Sequence, residues 1–78
     1  METNKKNFYR LLGLNLKECR EALGYTQTEA STMLNKPQSY ISRIELGEKQ
    51  ITVLELVVFS RKYMTSISEL MPKNWEEK

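Results

Sequence analysis

The segment from residue 26 to residue 47, TQTEASTMLNKPQSYISRIELG, constrains the fold more than any other part of the chain. Thr26 and Glu29 have the identities and spacing of a capping box, in which a hydroxyl and a carboxylate satisfy free amides at the start of a helix. The pattern predicts a helix over residues 27–34. Asn35 can end it, because asparagine tolerates a left-handed backbone conformation better than most residues.

A second short helix follows after a break of three or four residues. Pro37 favours the first position of a helix, and Gly47 favours the position just after its end, so we expect a helix from about residue 37 to residue 46. Ile41 and Ile44 are three residues apart and are expected to point into the core. Two short helices joined in this way form a helix-turn-helix.

The outer face of the second helix carries side chains that can read bases in the major groove of DNA. Glutamine pairs with adenine, arginine with guanine, and serine with either. Recognition helices present such residues from their N-terminal half. The same residue types are ordinary on a solvated helix, but their position after a capped helix and a tight turn favours base contacts by Gln38, Ser39, Ser42 and Arg43.

The start of the first helix of the motif is suited to bind phosphate. Its free amides and its positive dipole end attract an anion, and the side chains of Thr26 and Gln27 lie beside them. Lys36 and Lys49 are placed for further backbone contacts, although surface lysines are common. Tyr40 either packs at the edge of the domain or donates its hydroxyl to a phosphate, and the sequence leaves both open.

The remaining sequence predicts helices and no strand, and hence an all-α protein with five helices. The first helix is expected over residues 7–23. The spacing of Thr52 and Glu55 opens a fourth helix over residues 53–63, and a third box at Ser66 and Glu69 opens a short fifth helix. The fourth helix is expected to bury three residues, Leu54, Val57 and Val58.

Composition narrows the possible functions. The chain has 78 residues, enough for one domain, with a core over about residues 8–71 and a polar tail over residues 72–78. It has no histidine and no aspartate, so we expect no catalytic residues, no metal site and no cofactor. With no apolar run of about 20 residues and no signal-like start, we expect no membrane contact and a cytoplasmic, nucleoid-associated protein.

From about residue 14 to residue 70 the chain resembles the phage-repressor-like helix-turn-helix family, of the Cro/C1 or XRE type. The resemblance is carried by Thr26-Gln27, by the run ISRIE over residues 41–45 followed by Gly47, and by the stretch 66–70. It implies a five-helix lambda-repressor-like fold, with the third helix in the major groove and Gln27 on a phosphate. It also implies a partly buried ion pair between Arg20 and Glu45.

The chain departs from the family pattern at three places. Ala30 and Ser31 stand where the family usually has leucine and alanine, so the side chains at these positions fill less of the core. Asn35 replaces a glycine in the turn, and Met64 replaces a glycine after the fourth helix. A left-handed conformation at Met64 costs roughly 1 kcal/mol or more. None of these changes affects the residues that we expect to face DNA.

Proteins of this class usually bind double-stranded DNA as two-fold dimers on half-sites about 34 Å apart. We therefore expect a homodimer, through a surface formed by Ile67, Leu70, Met71 and Trp75. Trp75 can instead fold back onto its own domain or be disordered. The leading hypothesis is a transcriptional repressor. The alternatives are an antitoxin that binds its operator and a toxin protein, and an interaction module that has kept the fold but lost DNA binding.

Overall fold

The computed structural model describes residues 2–76, in which all regular structure is helical. The last two residues of the predicted polar tail, Glu77 and Lys78, lie outside this range. The prediction of an all-α protein with five helices is confirmed. The helices are α1 (Glu2–Ala22), α2 (Gln27–Leu34), α3 (Gln38–Glu45), α4 (Val53–Lys62) and α5 (Ile67–Leu70).

The helix boundaries follow the local capping chemistry. The reciprocal hydrogen bonds of a capping box are present at Thr26 with Glu29 and at Thr52 with Glu55. At the start of α5 the Ser66 hydroxyl accepts from the Glu69 amide at 3.1 Å, so only this half of the third predicted box is seen among the described residues. The three capping hydroxyls therefore begin the helices where the sequence predicts.

Residues with a left-handed backbone end two of these helices. Asn35 follows α2 with φ of 57°, and Met64 follows α4 with φ of 55°. Asparagine tolerates this conformation better than methionine, so the chain bears a backbone strain at Met64 that glycine would relieve. Pro37 is the N-cap residue of α3, so the helix begins at Gln38, one residue later than predicted. Gly47 follows the helix with φ of 77°.

α1 begins five residues earlier than its apolar spacing predicts. At the start of the predicted range the helix has tertiary contacts: the Asn7 side chain donates to the Trp75 carbonyl at 2.7 Å, and the Phe8 ring meets the Trp75 ring edge-on at 5.2 Å. A short amphipathic segment is marginal by itself and becomes stable when it packs. The contacts with Trp75 therefore stabilise the start of the predicted range, and the helix continues back from there to Glu2.

The core lies between the helices, where α1 packs on α3 and α5 and where α2 packs on α3 and α4. Its buried apolar residues come from every helix: Leu12, Leu16, Ala30, Leu34, Ile41, Ile44, Phe59, Tyr63 and Leu70. The expectation that Leu54 points inward is wrong, because its side chain is 72% exposed. Its place next to the N-cap puts it at the end of α4, beyond the reach of the core, while Val57 and Val58 are half-buried.

α1 crosses α3 at Gly13. A Cβ atom at this position would lie 2.3 Å from the Ile44 carbonyl oxygen and 2.6 Å from that of Glu45. The missing side chain therefore allows the two backbones to touch, and this contact places the end of α3 against α1. Each helix of the described residues is too short or too polar to span a lipid bilayer.

Candidate nucleic-acid interface

A buried ion pair holds the end of α3 against α1. Arg20 Nε donates to Glu45 Oε2 at 2.6 Å and Arg20 Nη2 donates to Glu45 Oε1 at 3.1 Å, a two-pronged contact between residues 6% and 8% exposed. Hydrogen bonding to Glu45 raises the pKa of the Arg20 guanidinium. The third nitrogen, Nη1, donates to the Tyr25 carbonyl at 2.7 Å. The ion pair implied by the family resemblance is confirmed.

Gln27, the first residue of α2, connects this ion pair to the outer surface. Its side-chain nitrogen Nε2 donates to Glu45 Oε1 at 2.9 Å, and its side-chain oxygen Oε1 accepts a hydrogen bond from Gln38 Nε2 at 3.3 Å. A chain of hydrogen bonds therefore runs from Arg20 through Glu45 and Gln27 to Gln38. The sequence does not predict the contacts of Gln27, because they join residues 11 and 18 positions apart.

The predicted base-contacting residues lie together on the outer face of α3. Ile41 and Ile44 are buried, so the opposite side of the helix faces outward. Gln38, Ser39 and Arg43 are exposed there and Ser42 is half-buried. The side chains therefore form one polar surface with one positive charge, from Arg43. Whether they contact bases stays a prediction.

The N-terminus of α2 lies beside this surface. The Thr26 hydroxyl accepts from the Glu29 amide at 3.0 Å, and the Glu29 carboxylate accepts from the Thr26 amide at 2.9 Å. The cap leaves the amides of the first turn outside the helical hydrogen-bond pattern, as at every helix start. Gln27 lies at this turn and has a second amide hydrogen, since its side chain carries two.

Lys36, Lys49 and Tyr40 form a second cluster on the flank of α3. The ammonium groups lie 5.0 Å (Lys36) and 5.9 Å (Lys49) from the centre of the Tyr40 ring. Lys36 also lies 3.8 Å from a carboxylate oxygen of Glu55. The Tyr40 ring stacks nearly parallel to Phe59, with 8° between the planes.

Burial, and then the nearby Glu55 carboxylate, raise the pKa of the Tyr40 hydroxyl. Of the two roles left open for Tyr40, packing at the domain edge agrees with its stacked, half-buried ring. Both lysine ammonium groups lie near this ring. Contact of any of the three with phosphate stays a prediction.

The expected dimer surface is only partly exposed. Leu70 is fully buried, so its assignment to that surface is wrong: it fills the core, and its carbonyl accepts from Asn15 Nδ2 at 2.8 Å. Trp75 folds back on Phe8, as the intramolecular alternative described. Ile67 is 36% exposed and Met71 is half-buried. A four-residue helix has too little periodicity to indicate which side faces inward.

Within residues 2–76, no three side chains of the histidine, cysteine, aspartate or glutamate type lie close enough to hold a metal ion. The single Cys19 packs against the core, and burial raises the pKa of its thiol.

Comparison with known proteins identifies the fold independently. A family model described as helix-turn-helix, HTH_3, matches residues 16–70. No match was found among curated proteins. Among solved structures, the restriction-modification controller protein C.AhdI from Aeromonas hydrophila is similar with a TM-score of 0.76 and 21% identity, over 81% of this chain and 96% of that one.

Two further structures share the fold. The clp gene regulator ClgR from C. glutamicum has a TM-score of 0.75 and 22% identity, over 80% of each chain. Apo-HppE has a TM-score of 0.78 and 23% identity, over 83% of this chain but 36% of the HppE chain. At these identities the structural similarities establish the fold alone.

Proposed function

Because the chain belongs to the helix-turn-helix family HTH_3, we propose that it binds double-stranded DNA through α3 and regulates transcription. The observation that carries this proposal is the hydrogen-bonded chain from Arg20 to Gln38, which joins the outer face of α3 to the buried ion pair. Recognition requires side chains held in a defined orientation, and such a network supplies it.

Base reading is assigned to the outer face of α3. Gln38 can make two hydrogen bonds to an adenine, and Arg43 can make two to a guanine. Ser39 and Ser42 are short donors and acceptors that let α3 approach the groove closely. The absence of an acidic side chain from this set of four supports a negatively charged ligand.

Phosphate contacts are assigned to the N-terminus of α2 and to the flank of α3. The first-turn amides of α2, with Thr26 and the second amide hydrogen of Gln27, would bind one phosphate. Lys36 and Lys49 would bind the backbone beside α3, with Tyr40 as their support. The total net charge of +2 is small, so the local placement of these groups matters more than the total.

We further propose that the protein acts as a dimeric repressor on an inverted-repeat operator, located in the cytoplasm with the nucleoid. One recognition helix reads few base pairs, and a two-fold dimer doubles the site. Occupying an operator is enough to block transcription, so repression needs no additional contact. The structural similarity to a regulator and to a controller protein supports this class of function.

The test is selection of bound sequences from a random duplex library with purified protein near physiological salt. An enriched inverted repeat with half-sites about one helical turn apart is the expected result. Enrichment of a single half-site would support sequence-specific DNA binding and would contradict the proposed dimer. Weak, salt-sensitive retention of all sequences would reject the proposal and favour a protein partner such as a toxin.

A further inference from the structure

Two large apolar side chains stand exposed at the start of α4. Val53 is 79% exposed and Leu54 is 72% exposed. They are consecutive, directly after the capping residue Thr52, so both belong to the exposed first turn of α4. Single exposed apolar residues are normal on protein surfaces, so these two acquire meaning only together with an apolar cavity beside them.

Such a cavity lies next to Leu54. Its volume is about 170 Å³, and it lies where α2, α3 and α4 meet. The lining is mostly apolar and comprises Leu34, Lys36, Tyr40, Leu54, Glu55, Val58 and Phe59. A dry cavity of about 150 Å³ accommodates a group of the size of benzene. The cavity beside Leu54 is therefore large enough for one branched aliphatic side chain.

We propose that a second copy of this chain docks on this surface, with Leu54 of each copy entering the cavity of the other. A protruding side chain adjacent to a cavity of its own size is the arrangement that a two-fold contact requires, because each copy then supplies both parts. This inference deepens the dimer proposed above by identifying the contact. It rests on the proposed function only for its biological role.

The charges beside the cavity favour the same occupant. Its lining contains one cation, Lys36, and one anion, Glu55, which lie 3.8 Å apart. In a two-fold contact each copy presents a positive and a negative group to the same pair on the other, so opposite charges can face each other. Lys49 does not line the cavity, so its assigned contact with the DNA backbone is independent of this docking.

The contact also determines the relative placement of the two recognition helices. Tyr40 belongs to α3 and forms part of the cavity wall, so a side chain seated there touches the flank of the recognition helix. The dimer surface expected from the sequence has fewer apolar side chains available for contact, because Leu70 is buried and Trp75 packs on Phe8. The contact would therefore determine the distance between the two α3 helices, and with it the spacing of the half-sites.

Sedimentation equilibrium of the full chain without DNA tests the contact. Leu54→Glu places a carboxylate against the apolar cavity of the partner, and both copies carry the change. We expect the dimer dissociation constant to rise by at least about 30-fold. The variant should fold, because Leu54 is mostly exposed and a negative charge in the first turn of a helix is favourable.

The matched control is Met64→Asn, which removes an apolar side chain that is 75% exposed at the other end of α4. Asparagine tolerates the left-handed backbone at this position. We expect this control to change the dissociation constant by less than about threefold, since isolated surface substitutions have small effects. A similar loss in both variants would show a general dependence on apolar surface and overturn the specific contact.

A second variant, Val58→Phe, fills the cavity from within the same chain and leaves Leu54 in place. Weaker association in this variant as well would support insertion of the partner's side chain. A parent chain that is monomeric at all concentrations, or a dimer unaffected by both changes, would overturn the proposal. Because no DNA is present, these outcomes are separate from the sequence selection that tests the proposed function.

Discussion

The side-chain amide of Gln27 lies 2.9 Å from Glu45 Oε1, so the first residue of α2 is joined to the last residue of α3. Glu45 is held at the same time by Arg20, at 2.6 Å and 3.1 Å. The two helices of the motif are therefore fixed to each other and to α1 through one carboxylate. The buried Glu45 carboxylate therefore fixes the position of the surface that we propose for DNA binding.

Glu45→Gln should destabilise the protein strongly. The substitution leaves the Arg20 guanidinium buried without its carboxylate, and removing one partner of a buried ion pair costs about 3–5 kcal/mol. In a domain of this size each 1 kcal/mol lowers Tm by roughly 4–8 °C. Thermal unfolding followed by circular dichroism is the measurement.

The control for Glu45→Gln is Lys36→Gln, which removes the exposed pair at 3.8 Å between Lys36 and Glu55. Exposed ion pairs contribute about 0–1 kcal/mol, so Tm should change little. Equal losses in the two variants would contradict the assignment of a structural role to the Arg20–Glu45 pair.

Arg43→Ala and Lys49→Ala should separate base reading from phosphate binding. If Arg43 contacts a guanine, its removal costs about 1–3 kcal/mol of binding and relaxes preference at one base position. Removal of Lys49 should weaken binding to all sequences alike and reduce the dependence on salt. Binding isotherms on the selected operator and its single-base variants, at several salt concentrations, give both quantities.

Arg61→Ala provides the control for this pair, since Arg61 is an exposed cation near the end of α4 and has no assigned contact with DNA. It should leave both affinity and preference nearly unchanged. If Arg43→Ala and Lys49→Ala lowered affinity equally on every sequence, base reading by Arg43 would have to be abandoned.

Local chemistry made much of the fold predictable. The bounds of α2 follow from Thr26, Glu29 and Asn35, and they agree to the residue with the structure. The burial of Ile41 and Ile44 follows from their spacing, and the family resemblance is confirmed by the matching family model. Each of these depends on residues within one or two helical turns.

What the sequence could not predict depends on distant partners. Asn7 bonds to Trp75, which is 68 positions away, so no local pattern marks this contact. Leu54 and Leu70 are both leucines near helix ends, and their spacing does not show that one is exposed and the other buried. The contacts of Gln27 likewise require the two helices to be assembled first.

Met64→Gly should stabilise the protein by about 1 kcal/mol. Met64 has φ of 55°, a conformation that costs a side chain roughly 1–2 kcal/mol and glycine almost nothing. The side chain is 75% exposed, so little packing is lost. Urea unfolding should show a higher midpoint with an unchanged slope.

The companion variant Asn35→Gly tests the cause of this gain. Asn35 has nearly the same backbone conformation, with φ of 57°, but asparagine is already tolerant of it. We expect a change of less than about 0.5 kcal/mol. A gain at Asn35 as large as that at Met64 would attribute the effect to glycine itself rather than to relief of strain.

Tyr63 should make the protein sensitive to alkaline pH. Burial raises the pKa of its hydroxyl to about 12, against an ordinary value of 10.0. Above pH 10 the unfolded chain releases this proton while the folded chain keeps it, so the free energy of unfolding decreases between about pH 10 and pH 12. Below pH 10 the contribution is fully present.

Tyr63→Phe removes this titration and also removes a buried hydroxyl that has no hydrogen-bond partner in the part of the chain that the structure describes. Since an unsatisfied buried polar group costs about 1–3 kcal/mol, the variant should be at least as stable as the parent at pH 7. Urea unfolding between pH 7 and pH 11 should show that the free energy of unfolding of this variant decreases less at alkaline pH than that of the parent.

Tyr25→Phe, at a half-buried position, is the control, and its free energy of unfolding should decrease as much as that of the parent. A marked destabilisation of Tyr63→Phe at pH 7 would mean that the hydroxyl makes a stabilising hydrogen bond.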